Sequence, residues 1–190
     1  MAWLTTEQVQ ALGFAAVGTH VLLSDKASFY NCAEIRIGSN VRIDDFCVLS
    51  AGAGGIHIGS YIHLAVFDLL IGAGRISLDD FANLSSRVSV YSSTDDFSGA
   101  AMTNPMVPAE FTNVSHAAVH IGRHVVIGSG SVILPGAVLE PGSAVGALSL
   151  VKGRCREFGI YAGIPATRIA ERKRDLLIAE QRFRASPMSE

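Results

Sequence analysis

The sequence is poor in charged residues and has no pairing pattern among its cysteines. Charged residues make up 17% of the 190 residues and hydrophobic residues 49%, so the chain has ample material for a core. The net charge of −2 gives no reason to expect nucleic acid as a partner. Cys32, Cys47 and Cys155 are odd in number and form no CxxC pair, which argues against a disulfide scaffold or a cysteine-rich zinc site.

The sequence also has none of the segments that carry a chain to or across a membrane. No apolar run reaches the roughly 18 residues that a membrane-spanning helix needs. The first residues, MAWLTTEQVQ, have neither the basic stretch nor the apolar stretch of a signal peptide. Because unpaired thiols are typical of a reducing compartment, we expect a soluble, cytoplasmic protein without membrane insertion.

What the sequence does have is a period of six residues. From Ile121 it reads IGRHVV, IGSGSV, ILPGAV, LEPGSA, VGALSL and VKG, with an aliphatic residue opening each hexamer. The fifth place holds a small or β-branched residue: Val125, Ser131, Ala137, Ser143 and Ser149. The same frame runs upstream, with openings at Val17, Leu23, Phe29, Ile37, Ile43, Leu49, Ile58, Leu64, Leu70, Leu78, Leu84 and Val90. So many matches in one frame indicate a repeat protein.

The hexamer predicts an all-β protein, a left-handed parallel β-helix. Six residues provide one short strand and a bend, so three hexamers make one triangular turn, and stacked turns pair in parallel about 4.8 Å apart. The first and fifth residues point inward, where a narrow cross-section accepts a large aliphatic side chain at the first place and a small one at the bend. Glycine relieves backbone strain at such bends. We expect about six turns.

Three segments follow from where the repeat begins, breaks and ends. Residues 1–16 should form a short helical cap, because Thr5 or Thr6 suits a helix N-terminus and Gly13 suits its end. Residues 17–153 should form the β-helix, with an inserted loop at 97–118 that projects from one corner. Residues 154–190 should hold a basic helix. A loop of this length inside a compact domain is usually functional.

The chain resembles the hexapeptide-repeat acyltransferases, in the branch that acetylates sugars or nucleotide-linked sugars. The resemblance covers about residues 17–175 and is carried by the repeat, by IGSGSVILPGAVLEPGSAVGALSLV and by the ending IYAGIPATRIAER. The stretch VYSSTDDFSG, followed by TNPMVP, is most similar to enzymes that acylate sugars for bacterial surface polysaccharides, including amino sugars linked to dTDP. The resemblance implies transfer of an acetyl group to a sugar hydroxyl or amine. It also implies that the acetylated sugar is used in the biosynthesis of a surface polysaccharide such as lipopolysaccharide.

The resemblance also implies a homotrimer with active sites between neighbouring subunits. Acetyl-coenzyme A would lie along the groove near the last turns as the cosubstrate, and no metal is expected. By position, Ser129, Ala147, Lys152 and Arg168 would bind the coenzyme, the two cations by meeting its phosphates. The sugar or nucleotide-sugar acceptor would contact a second set of residues, namely Asn83, Tyr91, Ser93 and His116.

The catalytic base is open among three hypotheses. Galactoside-type relatives carry a histidine in a TGH run, and the matching run here is Ser93-Thr94-Asp95. Asp95 can therefore orient or deprotonate the acceptor, with Asp96 beside it, although paired aspartates are also common turn formers. Alternatively, His63 supplies the imidazole, or His116 at the end of the loop does so. We favour His63 and Asp95 acting together.

Two other functions share the predicted fold. A zinc-dependent hydratase of the γ-carbonic anhydrase type needs three histidines, some of them from a neighbouring subunit. The candidates here, without the usual spacing, are His57, His63, His116, His120 and His124. A non-enzymatic β-helix scaffold is the other alternative, but a scaffold does not need a polar loop with carboxylates at its root.

Overall fold

The structure is a computed structural model that describes residues 2–186, and these residues form a triangular column of stacked turns. The four turns before the loop are formed by β1 (Ala16–Val17), β2 (Val21–Leu23) and β3 (Ser28–Tyr30); by β4 (Ile35–Ile37), β5 (Val41–Ile43) and β6 (Val48–Ala51); by β7 (Ile56–Ile58), β8 (Ile62–Leu64) and β9 (Leu69–Gly72); and by β10 (Ile76–Leu78), β11 (Asn83–Leu84) and β12 (Ser89–Tyr91). The loop itself contains β13 (Ser93–Thr94) and β14 (Ser115–His116). The turns after the loop are formed by β15 (Val119–Ile121), β16 (Val126–Ile127) and β17 (Val132–Ile133); by β18 (Val138–Leu139), β19 (Ala144–Val145) and β20 (Leu150–Val151); and by β21 (Arg154–Cys155) and β22 (Gly159–Gly163), which β23 (Ala166–Glu171) follows.

Three parallel sheets make the sides of the column. Face 1 contains β1-β4-β7-β10-β15-β18-β21, face 2 contains β2-β5-β8-β11-β16-β19-β22, and face 3 contains β3-β6-β9-β12-β17-β20. The corners where the chain passes between them are called corner 1–2, corner 2–3 and corner 3–1. The predicted parallel β-helix is therefore confirmed, with six complete turns and a seventh formed by β21 and β22. Parallel pairing thus continues past Gly153, where we expected the repeat to end.

The core is a stack of inward side chains, as the hexamer predicts. On face 2 the stacked residues are Leu23, Ile43, Leu64, Leu84, Ile127, Val145 and Tyr161, and each is at most 7% exposed. Apart from Val17, which is exposed in the first turn, the remaining opening positions pack around them in the same cluster. Each rung buries its apolar surface on the rungs above and below, so stability is approximately a sum of nearest-neighbour terms.

Bulky residues, rather than glycine alone, occupy many of the bends. Phe46, Tyr61, Phe67 and Phe81 have φ between 59° and 66°, in the left-handed region. This conformation costs a non-glycine residue about 1–2 kcal/mol. The rings offset that cost by stacking along the column, with centroids 5.0 Å apart for Phe46 and Phe67 and 4.9 Å apart for Tyr61 and Phe81. We had expected glycine to relieve this strain.

The predicted N-terminal cap is present as α1 (Thr6–Ala11). Thr5 Oγ1 accepts a hydrogen bond from the backbone N–H of Gln8, and Gln8 Oε1 accepts one from the N–H of Thr5, which is a reciprocal capping box. Val9 of the helix and Phe14 just after it pack against the buried core. The helix therefore covers one end of the stack.

The C-terminal segment differs in part from the prediction. We expected a basic helix in residues 154–190, but residues 166–171 of this segment form β23, which runs antiparallel to β22. Gly163, with φ of 103°, lets the chain reverse and pair with the free edge of β22. The helix, α2 (Asp175–Ala185), begins later and packs on corner 1–2, where the ring of Phe183 meets that of Tyr61 edge-on at 5.2 Å.

Candidate functional site

The inserted loop leaves the column at corner 3–1, after β12, as predicted. Its two ends form a short antiparallel ribbon in which Ser93 is paired with His116 and Thr94 with Ser115. Ser93 Oγ lies 2.8 Å from His116 Nδ1 and accepts a hydrogen bond of 2.7 Å from the backbone N–H of Ala73 on the preceding turn. The structure therefore brings together two of the predicted acceptor-binding residues, Ser93 and His116, at the root of the loop.

A cavity of about 470 Å³ opens beside this ribbon. Its lining residues are Tyr91, Ser93, Thr94, Asp95, Phe97, Leu134 and Pro135. Tyr91 and Asp95, both predicted as site residues, thus share one cavity with Ser93. Phe97, Leu134 and Pro135 give the cavity an apolar wall, which the sequence analysis did not identify. Such a combination of apolar walls and a few polar groups is typical of a small-molecule site.

The two adjacent aspartates have different surroundings. Asp96 accepts hydrogen bonds from the N–H and Oγ of Ser98 and from the N–H of Ala101, and these bonds lower the pKa of its carboxyl. Asp96 therefore shapes the loop. The Asp95 carboxylate makes no hydrogen bond or ion pair with any other residue of the 2–186 range, and its side chain is exposed. Of the pair, Asp95 is the carboxylate that is free to meet a substrate.

His63 lies elsewhere in the chain, on the outer surface of face 2. Its neighbour on the next rung is Asn83, the fourth predicted acceptor-binding residue. His63 Nε2 is 2.9 Å from Asp44 Oδ2, and the other oxygen of Asp44 accepts a 2.6 Å hydrogen bond from Arg42. Burial acts to raise the pKa of Asp44, but the hydrogen bonds from Arg42 and His63 outweigh it and the pKa is lowered. The carboxylate fixes the orientation of the imidazole. Within one chain, His63 and Asp95 are thus on different parts of the column.

The predicted coenzyme-binding residues fall in three places. Ser129 and Ala147 are both exposed and lie on consecutive rungs of corner 2–3, where the N–H of Leu148 donates to the Ser129 carbonyl at 2.9 Å. A Cβ on Gly128 would lie 2.4 Å from the backbone nitrogen of Ala147, so the backbones of these two rungs are in close contact at this corner. Lys152 follows β20 on corner 3–1. Arg168 lies in β23 and pairs with Glu171.

The sequence analysis missed two buried carboxyls, Asp44 beside His63 and Asp68. Asp68 occupies an inward place at corner 2–3, is fully buried, and accepts a 2.8 Å hydrogen bond at Oδ1 from the N–H of Val88. Its other oxygen has no hydrogen-bond partner among the described residues. Burial raises the pKa of Asp68 to about 8. A signal was present, because Asp68 is the fifth residue of the hexamer that Leu64 opens, a place otherwise held mostly by small or β-branched side chains.

The histidines do not gather as a metal site would require. His57 and His120 share one ladder on face 1, with Ser77 between them. Across residues 2–186, no group of three or more histidine, cysteine, aspartate or glutamate side chains is arranged to hold a metal ion. In the same range no helix has the length and apolar character needed to cross a membrane.

Comparison with known proteins gives three informative likenesses. No known family profile matches the chain. It is 52% identical over 190 residues to a dTDP-4-amino-4,6-dideoxy-D-glucose acyltransferase of Escherichia coli, which covers 100% of this chain and 99% of that protein. AntD, an N-acyltransferase of Bacillus cereus, was solved in complex with dTDP and 3-hydroxybutyryl-CoA. It is 45% identical, with a TM-score of 0.90 over 95% of each chain. A maltose O-acetyltransferase of Clostridium difficile is 17% identical, with a TM-score of 0.60 over 88% of this chain and 74% of that one, and shares the fold.

Proposed function

The chain belongs to the hexapeptide-repeat sugar acyltransferases, and on that premise we propose that it transfers an acyl group from a coenzyme A thioester to the amino group of a dTDP-linked 4-amino-4,6-dideoxy sugar. The observation that carries the proposal is the full-length identity of 52% to an enzyme named for that acceptor. The cavity that holds Tyr91, Ser93 and Asp95 supplies a matching polar site at the loop. The enzyme would serve the synthesis of surface polysaccharides such as lipopolysaccharide.

The chemistry needs a free amine and a place for its proton. The amine nitrogen attacks the thioester carbonyl carbon, the C–N bond forms, the C–S bond breaks, and coenzyme A leaves as the thiol. The nitrogen must lose a proton during this sequence. The exposed Asp95 carboxylate pairs with the sugar ammonium and takes the proton. It is available for this role because no other group of the described chain is bonded to the carboxylate.

The AntD structures add support for Asp95. They include variants of a serine and of an aspartate ten positions later, bound to coenzyme A with dTDP or with dTDP-4-amino-4,6-dideoxyglucose. Two serine–aspartate pairs have this spacing here, Ser85 with Asp95 and Ser86 with Asp96, with the serines on corner 2–3 and the aspartates at the loop. The hydrogen bonds of Asp96 within the loop favour Ser85 and Asp95 as the equivalent pair.

We further propose that three copies assemble around face 3. The outer surface of face 3 carries a half-exposed apolar strip, namely Val48, Leu69, Ile71, Val132 and Leu150. In the second, third and fourth turns the outer surfaces of the other two faces carry polar residues instead, namely Arg36, His57 and Ser77 on face 1 and Arg42, His63 and Asn83 on face 2. Packing the apolar strips around a threefold axis buries them. It leaves three outward grooves, each between face 2 of one subunit and face 1 of the next.

This arrangement explains how His63 and Asp95 serve one reaction. Asp95 at corner 3–1 borders the groove from one side, and His63 and Asn83 on face 2 of the neighbouring copy border it from the other. Ser129 and Ala147, on corner 2–3, would guide the pantetheine arm of acetyl-coenzyme A, with Lys152 and Arg168 near its phosphates. The free thiols of Cys32, Cys47 and Cys155 support a cytoplasmic location.

A thiol-release assay tests the proposed function. Purified protein is given acetyl-coenzyme A or 3-hydroxybutyryl-coenzyme A, and the acceptors are dTDP-4-amino-4,6-dideoxyglucose, the same sugar without dTDP, and a dTDP-sugar with a hydroxyl at C4. We expect thiol release with the first acceptor and a mass increase of one acyl group on its nitrogen. Equal release with the hydroxyl sugar, or none with any acceptor, would contradict the proposal.

Mixing two inactive variants tests whether the site is shared between subunits. His63→Ala and Asp95→Asn should each lower turnover. Random mixed trimers of the two variants place an intact His63 opposite an intact Asp95 in about one quarter of the grooves, so about a quarter of wild-type activity should return. The measurement is turnover after co-refolding or co-expression, with light scattering to verify three copies. An active His63→Ala variant would remove His63 from the site, and no recovery on mixing would contradict a site shared between subunits.

A further inference from the structure

A group of basic side chains without acidic partners lies on the outer surface of face 1. Arg36 of β4 is in register with His57 of β7, and Arg75 immediately precedes β10 on the following rung. The His57 ring lies at corner 3–1, since a Cβ on Gly55 would be 3.5 Å from His57 Nε2, and Arg75 Nε–H donates to the carbonyl of the adjacent Gly54. Burial lowers the pKa of His57, and the positive charges of Arg75 and Arg36 lower it further. Near neutral pH the group therefore consists of two guanidinium cations and an uncharged imidazole.

These two arginines are not neutralised within the chain. Among residues 2–186, no carboxylate lies within the 4.0 Å ion-pair distance of Arg36 or Arg75. The Nε–H of Arg75 donates to the carbonyl of Gly54 at 3.4 Å, which holds the guanidinium over the surface. By contrast, Arg154 belongs to the same ladder in the last turn, and it is paired with Glu140 at 2.6 Å. A pair of unneutralised arginines beside a histidine is suited to bind an anion.

The group lies next to the root of the functional loop, on its N-terminal side along the column. The carbonyl of Arg75 accepts a 2.8 Å hydrogen bond from the N–H of Val119, just after the loop returns. Two residues before Arg75, the N–H of Ala73 donates to Ser93 Oγ in the site cavity. A Cβ on Gly74 would lie 2.9 Å from the carbonyl oxygens of Ser92 and Ala117, so the loop root rests on this rung without a gap. An anion at Arg75 is therefore one rung from the cavity that holds Asp95.

We propose that Arg36, His57 and Arg75 form the subsite for the diphosphate of the nucleotide-linked acceptor. This inference rests on the proposed function and adds where the nucleotide is held. Each guanidinium offers a planar pair of N–H donors that matches two phosphate oxygens, and His57 adds a further hydrogen bond. With the diphosphate bound by these residues, the sugar extends toward the C-terminal turns and reaches Ser93 and Asp95. The acceptor then enters from the N-terminal side of the groove, and the coenzyme from the turns beyond the loop.

Binding of dTDP compared with thymidine tests the subsite. Thymidine shares the nucleoside but has no phosphate, so a diphosphate subsite is measured by the ratio of the two dissociation constants. Isothermal titration is carried out on the wild type, Arg36→Gln, Arg75→Gln, the double variant, and Arg154→Gln as the control from the same ladder. We expect each single variant to weaken dTDP binding by about 10-fold and the double variant by about 100-fold, since a charge-assisted hydrogen bond contributes on that scale.

The other readouts separate this subsite from a general loss of structure. Thymidine and coenzyme A affinities should stay within about twofold of the wild type in every variant, and the Arg154→Gln control should bind dTDP normally. In the acyl-transfer assay KM for the dTDP-sugar should rise while kcat changes little. If the wild type binds dTDP and the double variant binds it equally well, the subsite is wrong and the proposed function stands. If the wild type neither binds dTDP nor transfers an acyl group to a dTDP-sugar, both are wrong.

Discussion

Asp95→Asn is expected to lower kcat for acyl transfer by about 100-fold or more, the usual scale for losing a positioned proton acceptor. The amide has nearly the same shape as the carboxylate but neither attracts the sugar ammonium nor accepts its proton. Because the Asp95 carboxylate makes no hydrogen bond or ion pair with the rest of the described chain, the substitution should leave the fold unchanged. The measurement is kcat with saturating acceptor and acetyl-coenzyme A, together with the melting temperature.

The control for this variant is Asp25→Asn, which removes an exposed carboxylate in the first turn, far from the loop along the column. It should have wild-type kcat and the same melting temperature.

Asp96→Asn should behave differently from both, because it weakens the hydrogen bonds to Ser98 and Ala101 that shape the loop. We expect it to raise KM for the acceptor more than it lowers kcat. A fully active Asp95→Asn enzyme would show that another group takes the proton.

Asp68→Asn is expected to stabilise the protein at pH 8 and to change its stability little at pH 5. The pKa of Asp68 is about 8 in the folded chain, against an ordinary value of 3.8. Between these values the folded chain keeps a proton that the unfolded chain releases, so the free energy of unfolding falls as the pH rises from about 4 to about 8. Each unit of pKa difference corresponds to about 1.4 kcal/mol, so the loss reaches several kcal/mol.

The asparagine cannot ionise and keeps an oxygen to accept the N–H of Val88. We therefore expect the wild-type melting temperature to fall between pH 5 and pH 8 by roughly 5–10 °C more than that of the variant. Thermal unfolding followed by circular dichroism across this range is the measurement, with Asp25→Asn as the exposed control. Parallel curves for the wild type and Asp68→Asn would show that burial does not hold the proton on Asp68.

The β-helix was predictable because its pattern is local. Each inward side chain, such as Leu64 or Ile127, is specified by a period of six that can be counted without knowing any distant contact. The root of the loop was predictable for the same reason, since Tyr91, Ser93, Asp95 and His116 lie where the period breaks and resumes. The antiparallel ribbon then places Ser93 against His116.

Features that depend on pairing between turns were not predictable. Residues 166–171 form a strand because β22 offers an unpaired edge, and nothing within IPATRIAER distinguishes that strand from the helix we expected. The hydrogen bond between His63 and Asp44 joins residues of different turns, and it becomes visible only when the register is known. The aromatic bends at Phe46 and Phe67 also depend on the stack, since each ring in the left-handed conformation packs on the ring of the neighbouring turn.

The reversal at Gly163 ends the parallel ladder of face 2. A column of parallel strands grows by adding rungs, and its last rung presents free N–H and C=O groups to which another chain can add. Here β23 doubles back along β22 in the opposite direction, so on that side the final amides are used by the chain itself. A second column therefore cannot add a parallel rung directly to β22, because that edge is already paired within the chain.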